Sequence, residues 1–285
     1  MTDVVALIDL FHLGRAHVIA SYLLPGSRHA VVDCGPSVCV DALEAGLAEH
    51  GLRLDDVDDL LLTHIHPDHA GGAGALARRN SRLQVHVSEI GAPHLVDPSR
   101  LERSARRLYA DDFDRLFGEI IPVPAANVHV FGRQIAGLEV FPTPGHASHH
   151  VSFLGEDGAC YAGDAVGCLI PPGSFLYPAA APPEIDLVAW EASFESIEAR
   201  APSSLRLPHF GEVADALGHL RRMRARLEEW ASWVEAGLSE EEFVARAEGE
   251  LQAEAGPTVD QYRQLPGFDL TYAGIRRYFD KLAPN

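Results

Sequence analysis

Lysine is all but missing from this chain: Lys and Arg together number 23, and Lys281 is the single lysine. Asp and Glu number 41, which leaves a formal net charge of -18 at pH 7. A chain this acidic repels phosphate backbones, so no nucleic-acid partner is expected. Cysteine is scarce as well. Cys34, Cys39, Cys160 and Cys168 form no C-x-x-C pair and no secreted-scaffold spacing, and they read as buried thiols rather than a disulfide framework. Long apolar runs are lacking too. No segment offers about 18 uninterrupted apolar residues, so no membrane span is expected. The start, Met1-Thr2-Asp3-Val4, has neither the basic residues nor the apolar stretch of a signal peptide. Together these absences set a cytoplasmic location as the expectation.

What is present is an ordinary globular composition, 47% hydrophobic and 22% charged over 285 residues, with enough chain to bury a substantial core. One stretch stands apart, Thr63-His64-Ile65-His66-Pro67-Asp68-His69-Ala70-Gly71-Gly72. It packs three imidazoles and a carboxylate into six residues, directly after Leu60-Leu61-Leu62. Alternate side chains of an extended segment point the same way, so His64 and His66 can grip one ion as a pair. Pro67 supports a bend, after which Asp68 and His69 reach toward a second ion or an open face of the first. The apolar run reads as a buried strand, and residues 73–79 as the helix that follows.

Strands and helices alternate around this stretch. Residues 4–9, 18–23 and 30–33 read as strands, the last ending at Cys34-Gly35-Pro36. Ser37 reads as the cap of a helix to about His50, and Gly51 as its stop. Residues 83–88 alternate like a half-buried strand, on which His86 reads as a satisfied histidine rather than a ligand. A helical run begins about Arg100, after the stretch from Ala92, and extends to about Phe117. Its Arg100, Arg103 and Arg107 recur at helical spacing, either as an anion clamp or as a solvated face. Residues 151–154 and 159–162 read as a hairpin. The Pro-rich stretch 171–183 reads as irregular, with Phe175, Leu176 and Tyr177 either walling a substrate pocket or tucked against their own domain. Asp186 reads as the cap of a helix to about Arg200. From residue 213 the character turns helical, with Ser239 opening a capping-box pattern and a last helix over about 270–281.

The stretch around His64 resembles the HxHxDH signature of the metallo-beta-lactamase superfamily. Pro144-Gly145-His146, Gly163-Asp164-Ala165 and Pro208-His209-Phe210-Gly211 resemble its later ligand segments, in order. Within the superfamily the resemblance is to the glyoxalase II-like (hydroxyacylglutathione hydrolase-like) branch. It implies an α/β fold, a four-layer αββα sandwich, with residues 1–212 as the catalytic domain and 213–285 as a C-terminal helical extension bordering the active site. It also implies two divalent metal ions, zinc first, with iron or manganese as alternatives. His64, His66 and His146 would bind one ion, Asp68, His69 and His209 the other, and Asp164 would bridge them. Asp33 and His150 would support these ligands from behind, with capping of its own turn as the alternative role for Asp33. His149 stands where the family has glycine, and reads as an extra pocket group or a surface imidazole. The scarcity of lysine also departs from the basic cluster of glutathione-binding relatives.

The implied chemistry is hydrolysis of a small-molecule thioester, lactone or related ester by a hydroxide shared between two ions, oriented by Asp68. No Ser or Cys nucleophile is needed. The alternative is an oxidoreductase like the persulfide dioxygenases, with a single iron held by two His and an Asp. A weaker third reading is a binding or regulatory protein that keeps the frame without turnover. A homodimer is the family's default assembly.

Overall fold

The protein is described here from a computed structural model covering residues 4–283. Residues 1–3, most of the start segment read above for a leader, lie outside the described residues. No helix among the described residues is long and apolar enough to cross a membrane. The two large sheets have six strands each, and a third sheet has two. The chain packs as two compact units, residues 1–141 with 153–156, and residues 142–152 with 157–285.

In the first unit the sheet follows chain order, β1 (Ala6–Asp9), β2 (Ala20–Leu24), β3 (His29–Val32), β4 (Val57–Leu61), β5 (Gln84–Val87) and β6 (Val128–Val130). The first two pairings are antiparallel and β3 to β6 run parallel. Leu60, Leu61 and Leu62 are all but completely buried, as a continuous apolar run must be where a parallel strand is covered on both faces. The connection from β3 to β4 is α1 (Val40–Glu49), which buries Val40, Leu43 and Leu47 at helical spacing. Its start differs from the sequence reading. Ser37 lies in a 3-10 turn and its Oγ reaches the Gly71 carbonyl at 2.8 Å, so the hydroxyl ties two loops together instead of capping the helix.

From β4 the chain passes through α2 (Pro67–Ala70) and α3 (Ala73–Arg79) to β5, then through α4 (Ala92–Val96), α5 (Ser99–Tyr109) and α6 (Phe113–Phe117). The single helical run expected from about Arg100 to Phe117 is broken at Ala110, whose φ of 45 no right-handed helix accommodates. The break lets Phe113 and Phe117 pack with Ala105 and Ile120. Arg100, Arg103 and Arg107 stay on the exposed face of α5, the solvated alternative. The unit ends with the hairpin of β7 (Gln134–Ile135) and β8 (Leu138–Pro142).

Beyond β9 (Val151–Gly155), which straddles the division, the second unit pairs β10 (Ala159–Tyr161) with the later β13 (Ser204–Leu207) in parallel. The stretch after residue 168 is more regular than expected. β11 (Cys168–Leu169) pairs with β12 (Leu176–Tyr177) despite the flanking prolines. Phe175, Leu176 and Tyr177 are buried. Their rings pack with Trp230 and Phe268, and Tyr177 Oη donates to the Pro266 carbonyl. α7 (Leu187–Glu198) follows, with Asp186 accepting from the Ala189 N–H at 3.0 Å as its cap. After β13 and β14 (Gly211–Val213) come α8 (Ala216–Glu235), α9 (Glu240–Glu254), α10 (Val259–Tyr262) and α11 (Phe268–Leu282). Ser239 and Glu242 close the expected capping box on α9.

Candidate metal-binding residues

The first cluster sits just past the C-terminal end of β4, and Asp33 organises it. Asp33 follows β3 with a φ of 51, a left-handed conformation that Asp tolerates better than most residues. Its buried carboxylate accepts the Thr63 N–H at 2.8 Å, the Thr63 hydroxyl at 2.7 Å and His69 Nδ1–H at 3.0 Å. Because the Thr63 hydroxyl hydrogen is spent on Asp33, Thr63 Oγ1 is left to accept from His64 Nδ1–H, 3.0 Å away. The protons of His64 and His69 are thereby fixed on Nδ1. Each Nε2 presents a lone pair.

Those lone pairs meet other donor atoms. His64 Nε2 lies 3.1 Å from His66 Nδ1. Two nitrogens on one tetrahedral ion with bonds of about 2.0–2.1 Å stand about 3.3 Å apart, so this spacing fits a shared ion. His69 Nε2 lies 3.7 Å from Asp68 Oδ2, beyond hydrogen-bond length. His64 and His69 are completely buried, while the Asp68 side chain is 20% exposed and reaches solvent. Pro67 at the first position of α2 turns the chain between His66 and Asp68, and the His69 carbonyl accepts from the Cys34 and Gly35 N–H groups.

The second cluster lies wholly in the second unit. Asp164, in the turn after β10, has His146 Nε2 at 3.6 Å from Oδ2 and His209 Nε2 at 3.7 Å from Oδ1. Both distances are too long for hydrogen bonds and suit nitrogen and oxygen groups that could ligate a metal ion. His150 stands behind it. The Asp164 N–H donates to His150 Nε2 at 3.1 Å, so the ring proton is on Nδ1 and is donated to Thr143 Oγ1 at 2.8 Å.

The structure therefore gathers His64, His66, Asp68, His69 and Asp33 in one cluster, and His146, His150, Asp164 and His209 in another. Each cluster consists of imidazole and carboxylate groups of the kind that bind metal ions. The donor set is imidazole and carboxylate without thiolate, which suits zinc, iron or manganese. None of the four cysteines is in a disulfide, and all are buried. Burial pushes the Cys39 thiol up to about 12 and raises that of Cys34, so neither offers a thiolate. His149 is only 6% exposed, which rules out the surface-imidazole reading. His86 is satisfied by Asp59 at 2.9 Å and belongs to neither cluster. Thr63 and Thr143 had no assigned role in the sequence, although each directly precedes a ligand segment.

The family model of the metallo-beta-lactamase superfamily matches residues 14–226. The chain belongs to that superfamily. Among curated members it is 24% identical over 209 residues to the beta-lactamase-like protein 2 homolog of Drosophila melanogaster, covering 70% of this chain and 61% of that protein. It is 31% identical over 149 residues to the hydroxyacylglutathione hydrolase of Pseudomonas aeruginosa, covering 50% of this chain and 45% of that enzyme. The chain thus spans between about half and three-fifths of the length of these relatives. Among solved structures, a metallo-beta-lactamase family protein of Thermus thermophilus matches with a TM-score of 0.68 at 23% identity, over 98% of this chain and 93% of that one. An archaeal superfamily protein of Sulfolobus tokodaii matches with a TM-score of 0.67 at 21% identity, over 95% and 98%. The chain has the metallo-beta-lactamase fold, with a helical C-terminal region.

Proposed function

We propose that the two clusters converge on one dinuclear metal centre, zinc first, and that the protein is a metal-dependent hydrolase of thioesters, lactones or related esters. The observation that carries this reading is the spacing of ligand atoms within each cluster, 3.1 to 3.7 Å, together with the engagement of His64 Nδ1 by Thr63 and of His69 Nδ1 by Asp33. The order of the four ligand segments and the likeness to hydroxyacylglutathione hydrolases support it. His149 in place of glycine and the single lysine speak against a glutathione-carried substrate.

His64, His66 and His146 would hold one ion, Asp68, His69 and His209 the second, with Asp164 between them. Such ions lower the pKa of a bound water to about 7 and polarise a carbonyl. The chain's own groups do the rest. Asp33 and Thr63 hold His64 and His69 in one tautomer, His150 holds the Asp164 turn, and Asp68 accepts a hydrogen bond from the attacking water and aims it. The four buried cysteines, none in a disulfide, support a cytoplasmic setting.

Asp68→Asn tests the role of Asp68. It keeps the side-chain volume and one oxygen but removes the charge that orients the water. Turnover of a thioester or lactone found by screening should fall by about 100-fold or more, in the range general-base contributions reach. Full turnover in the variant would remove Asp68 from the mechanism.

A further inference from the structure

His146 and Asp164 lie 18 positions apart in the chain, in two separate turns, yet their donor atoms stand 3.6 Å apart. One helix braces both turns. On the His146 side, Gly145 has a φ of 131, and a Cβ there would lie 2.3 Å from Trp190 Cα and 2.6 Å from Trp190 N. The turn is therefore laid flat on the backbone of α7, which only glycine allows. The Gly145 carbonyl accepts from the Asp186 N–H at 2.9 Å, and the Pro144 carbonyl accepts from Ser193 Oγ. The Trp190 indole meets the His146 ring edge-on, with centroids 5.8 Å apart at 76°.

On the Asp164 side, the same indole donates Nε1–H to the carbonyl of Ala165, the next residue, at 2.6 Å. Trp190 is completely buried, so this donor has no water to replace it. A second donor, His219 Nε2–H from α8, holds the Val166 carbonyl at 2.8 Å. Trp190 is thus in contact with both turns at once, by packing on one and by a hydrogen bond on the other.

We infer that Trp190, with Ser193 on the same helix, is a positioning residue that sets the spacing between His146 and Asp164 and hence the metal affinity of the site. This rests on the proposed metal centre. Trp190→Phe keeps an aromatic ring against Gly145 and His146 and removes the N–H on Ala165 with part of the indole volume, while Trp233→Phe, on α8, is the control for loss of an indole.

The test is competition for Zn²⁺ between a chromophoric chelator and the full-length protein after metal stripping, with thermal unfolding of the same metal-free samples. The expected result is a Zn²⁺ affinity about 10- to 100-fold weaker in Trp190→Phe, the usual effect of removing a group that orients ligands. Trp233→Phe should bind like the wild type, and metal-free Trp190→Phe should still unfold cooperatively, at a lower temperature because a buried carbonyl loses its donor. Wild-type affinity in Trp190→Phe would overturn the inference, as would a loss matched by Trp233→Phe. Should Trp190→Phe not fold, Ser193→Ala decides: weaker Zn²⁺ binding supports the brace and unchanged binding overturns it. A wild-type protein that fails to compete for Zn²⁺ at all would sink the metal-centre reading itself, a separate outcome from either.

Discussion

Asp33 shows how much one side chain controls in this protein. Its two oxygens take up the Thr63 N–H, the Thr63 hydroxyl and His69 Nδ1–H, and through Thr63 it also sets the tautomer of His64. Asp33→Asn would offer an NH2 group where one of these donors must be accepted, so at least one contact breaks. Zn²⁺ affinity should fall by about 10- to 100-fold in chelator competition. Unchanged affinity would mean that Asp33 caps its turn and does nothing for the ligands. At this scale the ligand stretch was legible in the sequence because its residues are local: four donor groups within six positions, just past a buried strand. Trp190, His219 and Thr143 were not legible. Each acts on a residue distant in sequence or through a backbone carbonyl, and a lone Trp or His on a helix carries no signal of what it touches.

Elements differ in how far local chemistry decides them. α9 begins where Ser239 and Glu242 cap each other, an arrangement readable from four consecutive residues. Ser239→Ala should cost about 1 kcal/mol of stability in denaturant unfolding, and a change near zero would show that packing alone sets that helix start. α1 went the other way, because Ser37 found tertiary carbonyl partners and left the cap unmade. The break at Ala110 and the β11–β12 pairing were hidden for the same reason: long-range packing of Phe113, Phe175 and Tyr177 outweighed local propensity.

α8 also carries a pH dependence. Burial pushes the His219 imidazole down to about 4 from an ordinary value of 6.5. The folded state keeps it neutral while the unfolded chain takes up a proton, so its contribution is intact above about pH 6.5 and is lost as pH falls toward 4. Burial likewise lowers His86, so acid sensitivity has more than one source. Unfolding of metal-free protein followed from pH 7 to 4.5 should lose stability at up to about 1.4 kcal/mol per pH unit from His219. His219→Gln, which keeps a donor for Val166, should flatten that slope; an unchanged slope would exclude His219 as a source.

At the scale of the whole molecule the sequence carried the family and the fold further than it carried function. Four ligand segments in order are a long-range pattern, and the match of the family model over residues 14–226 rests on the same stretch of chain. Substrate choice lies with surfaces that have no such pattern. The account stands or falls on whether the two clusters together hold metal, and the direct measurement is metal content per chain by elemental analysis, on untagged protein purified without chelators or added metal. The account predicts close to two zinc ions per chain. About one iron per chain would contradict it and move the assignment to oxygen-dependent sulfur chemistry, and protein free of metal would contradict it outright.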